Sequence, residues 1–303
     1  MTQFIGFPRP DGSVGIRNHI LLLGLDHPGV NVCHKVAGLV KETLLVFPGS
    51  QEGGVLRGVM GHPNVAGIVM VGEGFEEQDV DSLISELDRS GKPHGFIDMG
   101  GMGFMEAMAR ATHTAMDMVQ DVSTHRRELV RFSKLLPVLF HAPDDLTTEV
   151  LVSFMKRLEE ENGRCLWVGK GAKNQKSLNA EIKTNLVGDV GIGEAPGPHP
   201  GVYRYMGPES QKAIFRTILV SGAQIMVFPS GTRQFMASAL IPGLSFSCGP
   251  DPGADQVCDL NLGQKEDRNL SSEDASLLLF SEILATASGK LTRQEVLGDV
   301  LMI

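Results

Sequence analysis

The near-continuous apolar run Val65-Ala66-Gly67-Ile68-Val69-Met70-Val71 is the feature that most limits what this chain can fold into. It has strand length and no polar alternation, which is the pattern of a central parallel strand covered on both faces. Parallel neighbours need crossover connections, usually helices, so one such strand implies an α/β layering around it. An earlier segment has the same form. Ile20–Gly24 reads as a strand, Leu25-Asp26-His27-Pro28-Gly29 as a polar loop, and Asn31–Leu45 as a helix, which together open a βαβ unit.

The rhythm of strand, polar loop and helix then repeats. The Val65 strand ends in Gly72-Glu73-Gly74-Phe75-Glu76-Glu77 before a helix over Asp79–Ser90, and His94–Met99 precedes a glycine run and a helix reaching Val122. The charged stretch Ser123–Glu128 reads as a linker. Beyond it, Leu135–Phe140, Arg164–Val168, Gln224–Phe228 and Gly243–Ser247 are expected strands. Helices are expected over Leu146–Glu161, Glu209–Ser221, Ser271–Ala287 and Arg293–Leu297. The Gly/Pro-rich region Gly188–Gly207 reads as a long irregular loop, a type that is often functional. The expected fold class is therefore α/β, with two Rossmann-like parallel-sheet domains, 1–128 and 129–303, each with helices on both faces. A chain of 303 residues is long enough for two such cores.

Charge and composition narrow the partners. A net charge of -9 provides no basic field to attract phosphates, which argues against nucleic acid and for a small-molecule or protein partner. No apolar run approaches the ~20 residues that cross a bilayer. The start Met1-Thr2-Gln3-Phe4 lacks the form of a secretory signal, so a cytoplasmic location is expected. Cys33, Cys165, Cys248 and Cys258 have no metal-motif spacing and are expected to be reduced structural thiols. Gly100-Gly101-Met102-Gly103 does not have dinucleotide-loop spacing, and no hydrolase elbow or phosphate loop is present. Met102, Met105, Met108, Met116 and Met118 are expected to pack a core face.

In open parallel sheets ligands bind beyond the carboxyl ends of the strands. Those ends gather acids, bases and cations in this chain. The catalytic candidates are His27, Glu76, His141 and Asp144; the metal-ligating candidates are Asp26, Glu73 and Asp145. Lys170, Lys173, Thr232 and Arg233 are suited to a small anionic substrate, with Asp98 and Ser230 also at strand ends. Plainer duties fit several of these residues equally. Asp26 and Asp144 suit helix caps, His27 a turn before Pro28, Glu76 and Glu77 a helix dipole, and Lys170 and Lys173 solvated loop charges. Arg17 and Asn18, also substrate-binding candidates, lie at the beginning of their strand, where they equally suit tying down the loop Gly6–Gly15. His62 before Pro63 suits bonding within its own loop.

Gly6-Phe7-x-Arg9-Pro10-Asp11-Gly12-x-Val14-Gly15-Ile16-Arg17-Asn18, followed by an apolar strand and Cys33, resembles the altronate and galactarate dehydratases, a family that includes sulfolactate sulfo-lyase large subunits. His62-Pro63-Asn64-Val65 through Gly72-x-Gly74-x-Glu76, then Ser90-Gly91-Lys92-Pro93, is similar to the family's second block. Gly222-Ala223, Phe228, Gly231, Ile241-Pro242-Gly243 and Asp259–Gly263 resemble its C-terminal region. The resemblance implies β-elimination from a sugar acid, with a divalent metal, iron(II), as cofactor. It also implies a small SAF-type domain that a separate subunit would supply here, and the expected assembly is a homo-oligomer. The chain departs from the family where that chemistry is concentrated. Phe75 replaces the second block's cysteine, and the short loop Phe47–Gly54 replaces a His-x-x-Gly-Cys segment. His141-Ala142-Pro143-Asp144-Asp145 stands where the family has Cys-Gly-Gly-Ser-Asp. Phenylalanine cannot ligate a metal, so the expected site is rebuilt from His27, Glu73, Glu76, His141, Asp144 and Asp145. Other outcomes open to such a chain are a degenerate paralogue that binds a sugar acid or a partner subunit, and a metal-free hydrolase or epimerase.

Overall fold

The computed structural model describes residues 2–41, 43–46, 53–72, 77–141, 144–169, 185–230, 238–249, 258–263 and 270–297. The chain divides into two compact units, one formed by Gly6–Glu128 and the other by Met1–Ile5 with Leu129–Leu301. Each carries a parallel sheet flanked by helices.

The Gly6–Glu128 unit begins with the second half of β1 (Gln3–Pro8), which pairs antiparallel with β2 (Val14–Gly15) in register Phe7 to Gly15 and Pro8 to Val14. The turn between them closes through Arg9 N to Ser13 O, with Gly12 at φ 80, a left-handed conformation that suits glycine. There follow β3 (His19–Gly24), α1 (His27–Leu39), β4 (Thr43–Val46), α2 (Gly53–Gly61), β5 (Val65–Gly72), α3 (Glu77–Ser90), β6 (His94–Asp98) and α4 (Phe104–Ser123). The sheet order is β4-β3-β5-β6, parallel throughout. The chain thus leaves β3 toward one edge and returns beside it in β5, which places a switch point between β3 and β5.

Burial explains why β3 and β5 are apolar on both sides. Ile20 and Leu22, with Val69 and Val71, meet α1 and α4 through Val32, Cys33, Val36, Ala107, Ala111 and Ala115. Leu21, Leu23, Ile68 and Met70 alternate to the other face and are equally inaccessible, and α2 packs against both β5 and α3. Small residues at 107, 111 and 115 lie one helical turn apart and allow α4 to approach α1 closely. Of the methionines expected to form a core face, Met118 is buried and Met102 and Met108 pack against the core, whereas Met105 and Met116 are exposed. They project from the far side of α4, because the buried stripe of the helix runs through 107, 111, 115, 118 and 122.

The second unit contains β7 (Glu128–Arg131), a 3-10 turn at Phe132–Lys134, β8 (Pro137–Phe140), α5 (Asp145–Glu160), β9 (Arg164–Val168), β10 (Leu186–Val190) and β11 (Gly201–Tyr205). It continues with α6 (Gln211–Ser221), β12 (Ile225–Pro229), β13 (Gly243–Ser247), β14 (Leu260–Asn261), α7 (Ser272–Ala287) and α8 (Arg293–Leu297). Its 7-stranded sheet has the order β10-β11-β9-β8-β12-β13-β14, with every neighbouring pair parallel. The switch point lies between β8 and β12. Helices α5 and α7 pack together, with the Phe280 ring 6.0 Å from Phe154 and 4.7 Å from Phe132.

Three expectations need correction. The helix expected over Asn31–Leu45 ends at Leu39, and Thr43–Val46 is the edge strand β4. Gly188–Gly207 is not wholly irregular, because it holds the end of β10 and all of β11. The loop Gly6–Gly15 is partly strand, through β1 and β2. Among the described residues no helix is long and apolar enough to cross a membrane.

Candidate functional site

At the carboxyl end of β3 the chain turns directly into α1. Asp26 caps that helix, its Oδ1 accepting from Gly29 N at 2.7 Å, and Pro28 occupies the first turn, where a missing N–H costs nothing. Leu25 N donates to Val71 O, and a Cβ built on Gly29 would stand 2.2 Å from that same carbonyl. The α1 start is therefore packed against the end of β5 without spare room. His27 is exposed at the first position of the helix. Asp98 ends β6 and accepts from Gly100 N. Glu73 and Glu76 lie outside the described residues.

The second unit repeats this arrangement at its own switch point. His141 follows β8, and its backbone N donates to Val168 O of β9. Asp144 caps α5 with both carboxylate oxygens, Oδ1 accepting from Thr147 N and Oδ2 from Thr147 Oγ1, each at 2.8 Å. Asp145 is exposed in the first turn of α5. Ser230 directly follows β12, its N donating to Phe246 O. His141 is half-buried, and its Nδ1 is enclosed with no hydrogen-bond partner among the described residues. Burial holds its pKa below the ordinary 6.5, so the ring is neutral near pH 7 and can accept a proton. Lys170, Lys173, Thr232 and Arg233 lie outside the described residues.

Arg17 and Asn18 sit at the opposite end of β3 from Asp26, about 20 Å away along a six-residue strand. There they belong to a buried polar knot. Arg9 donates from Nε to Pro63 O at 2.8 Å, from Nη1 to Asn18 Oδ1 at 2.9 Å and from Nη2 to Arg17 O at 2.9 Å. Asn18 Nδ2 donates to Val122 O, and Arg17 Nη1 and Arg127 Nη2 both donate to Ile16 O. Lys92 Nζ donates to Met60 O and His62 O, and His62 Nδ1 accepts from Asn64 N. These cations are held by carbonyl dipoles. Burial lowers Arg9 to about 10, and burial together with the Arg9 charge lowers Lys92 to about 7. Neither Arg9 nor Lys92 stood among the candidates from sequence. The signals that mark them are the Gly6–Asn18 motif itself and Gly91-Lys92-Pro93.

The four cysteines are all buried and none is in a disulfide. Burial raises Cys33 and Cys165 to about 12 and Cys248 to about 11, which keeps them protonated and poor as nucleophiles or ligands. A divalent metal requires several carboxylate, imidazole or thiolate donors converging on one point. Among the described residues no group of three His, Cys, Asp or Glu does so, and Asp26 and Asp144 already serve as caps. The described residues therefore do not by themselves fit such an ion.

Residues 50–123 match the second domain of the D-galactarate dehydratase/altronate hydrolase family, a span covering α2, β5, α3, β6 and α4. The (2R)-sulfolactate sulfo-lyase subunit beta of Chromohalobacter salexigens is 30% identical over 142 residues, which cover 44% of this chain and 36% of that protein. The match thus spans little more than a third of that relative's length. The chain is homologous to the altronate/galactarate dehydratase second domain and to a sulfolactate sulfo-lyase subunit.

Proposed function

We propose that the chain is a lyase acting on a small hydroxylated carboxylate, with His141 as the group that moves the proton. The observation that carries this reading is the His141 imidazole. It sits at the β8/β12 switch point, is kept neutral by burial, and has an Nδ1 that no described residue engages. Homology to dehydratase and sulfo-lyase proteins supplies the reaction class. In such an elimination the base takes the proton α to the carboxylate, the electron pair forms the carbon–carbon double bond, and the β leaving group departs with its own pair. The resulting enol tautomerises to a 2-oxo acid. A neutral imidazole with a pKa below 6.5 is suited to the first step near pH 7, and its conjugate acid to protonating a leaving hydroxyl.

Lys170, Lys173, Thr232 and Arg233 remain the proposed carboxylate-binding residues, and His27, Glu73, Glu76, Asp26, Asp144 and Asp145 the proposed supporting polar set. A separate small SAF-type subunit, a homo-oligomeric assembly and a cytoplasmic location belong to the same proposal. The relative's designation as a subunit beta supports the first of these. The test is 2-oxo acid release from (2R)-sulfolactate, galactarate and altronate, each with and without added iron(II) under anaerobic conditions, with His141→Gln as control. Turnover that His141→Gln abolishes supports the reading. Thermal stabilisation by one of these acids without turnover would instead identify a binding paralogue, and turnover that survives His141→Gln removes the proton-moving role.

A further inference from the structure

A general base is commonly oriented by a hydrogen bond from its second ring nitrogen to a carboxylate or carbonyl. His141 has no such bond among the described residues, yet its ring is held in place. Two neighbours in β9 and the turn after it do the holding. The Trp167 and His141 rings meet almost perpendicular, at 86°, with centroids 6.5 Å apart. Trp167 is itself fully buried, so this wall cannot swing aside. Its Nε1 donates to Gly169 O at 3.1 Å and so pins the turn that follows the strand. Gly169 adopts φ +147, and a Cβ at that position would stand 2.4 Å from the His141 Cβ. The absence of a side chain at 169 thus lets the backbone close over the base of His141.

We infer that Trp167, acting through the pinned Gly169 turn, is the positioning residue for the His141 imidazole. Packing takes the place of the usual orienting hydrogen bond around the enclosed Nδ1 and leaves Nε2 for substrate and proton. The inference rests on the assignment of His141 above, but its physical content is separate from turnover. Desolvation lowers the His141 pKa, and among the described residues no carboxylate offsets it although Asp144 and Asp145 begin the next helix. Loosening the indole–glycine clasp should therefore admit water and raise the pKa toward the ordinary value.

The experiment is an NMR titration of the His141 Cε1–H in histidine-labelled protein, assigned with His141→Gln, in wild type and Trp167→Phe. Phenylalanine keeps most of the ring packing and removes the Nε1 donor. The expected result is a folded variant in which the His141 pKa rises by more than the fitting error while the other histidines titrate unchanged. A purely structural role for Trp167 would lower the melting temperature and leave the His141 titration where it was, which overturns the inference. If Trp167→Phe does not fold, Gly169→Ala gives the same reading, because the added Cβ must displace His141. A shifted titration in Trp167→Phe, together with unaltered turnover in His141→Gln, would sustain the positioning and refute the catalytic assignment.

Discussion

Lys92 provides the sharpest quantitative test of the Gly6–Glu128 unit. It is 3% exposed, and its ammonium lies near the Arg9 guanidinium. Two opposing influences act on it. The charge of Asp11, together with the carbonyls of Met60 and His62 that accept its protons at 2.9 and 2.8 Å, favours the charged form. Burial and the Arg9 charge disfavour it and prevail, because neutral carbonyls return only part of the hydration that an ammonium loses. The folded-state pKa falls to about 7 from 10.5. Between those values the unfolded chain binds more protons than the folded one, so stability rises with pH. From about pH 7 to about pH 8.5 the gain integrates to about 1.6 kcal/mol. Above that window Cys33 and Cys165 act in the opposite sense. Their folded pKa values of about 12 exceed the ordinary 9.0, so their contribution is lost as pH rises past 9.0.

Lys92→Met keeps the length of the side chain and removes the titration. It leaves two buried carbonyls short of a donor, at a cost of about 1–3 kcal/mol each where no water replaces it. The assay is urea unfolding at several pH values in that window, followed by far-UV circular dichroism. Trp167, the single tryptophan, lies in the other unit, and its fluorescence serves as an internal reference. Wild type should gain stability across the window, while Lys92→Met should be flatter in the circular dichroism signal and unchanged in fluorescence. Identical slopes for the two proteins would refute the claim that burial outweighs the two hydrogen bonds.

Three further outcomes are expected. Gly29→Ala places a Cβ 2.2 Å from Val71 O and should destabilise by about 1–3 kcal/mol, measured by calorimetry, because the α1 start has no room to retreat. Asp144→Asn preserves a good helix cap, whereas Asp144→Ala loses the bonds to Thr147 and about 1 kcal/mol in urea unfolding. Turnover lost in the asparagine variant at unchanged stability would show that Asp144 does more than cap. His141 is disfavoured as imidazolium in the folded state, so its contribution to stability is present above 6.5 and declines as pH falls through its lowered pKa. His141→Gln should flatten the melting temperature over that acid range, and an equally steep dependence in the variant would contradict the burial argument.

These tests separate what local sequence encodes from what only the folded chain brings together. Val65–Val71 was legible as a central strand because coverage on both faces removes polar positions from it, and the cap role of Asp26 and Asp144 was legible because a capping bond spans three residues. β4 was not, because Thr43-Leu44-Leu45-Val46 continues the apolar pattern of α1 with no glycine or proline between Leu39 and Thr43 to mark the break. β11 begins at Gly201 and is followed by Gly207 and Pro208, so its ends read as loop although Val202, Tyr203 and Tyr205 are buried. The polar knot was harder still. Arg9 reaches Pro63 across 54 residues, and Lys92 reaches Met60 from the end of a different helix, so no window of sequence contains the contact. The same holds for His141 and Gly169, which directly follow neighbouring strands. A glycine after a strand has many uses, and its use here becomes visible only when β8 and β9 lie side by side. Chemistry-bearing residues were therefore readable by type and by strand end, while the residues that orient them were not, because orientation is a property of strand pairing.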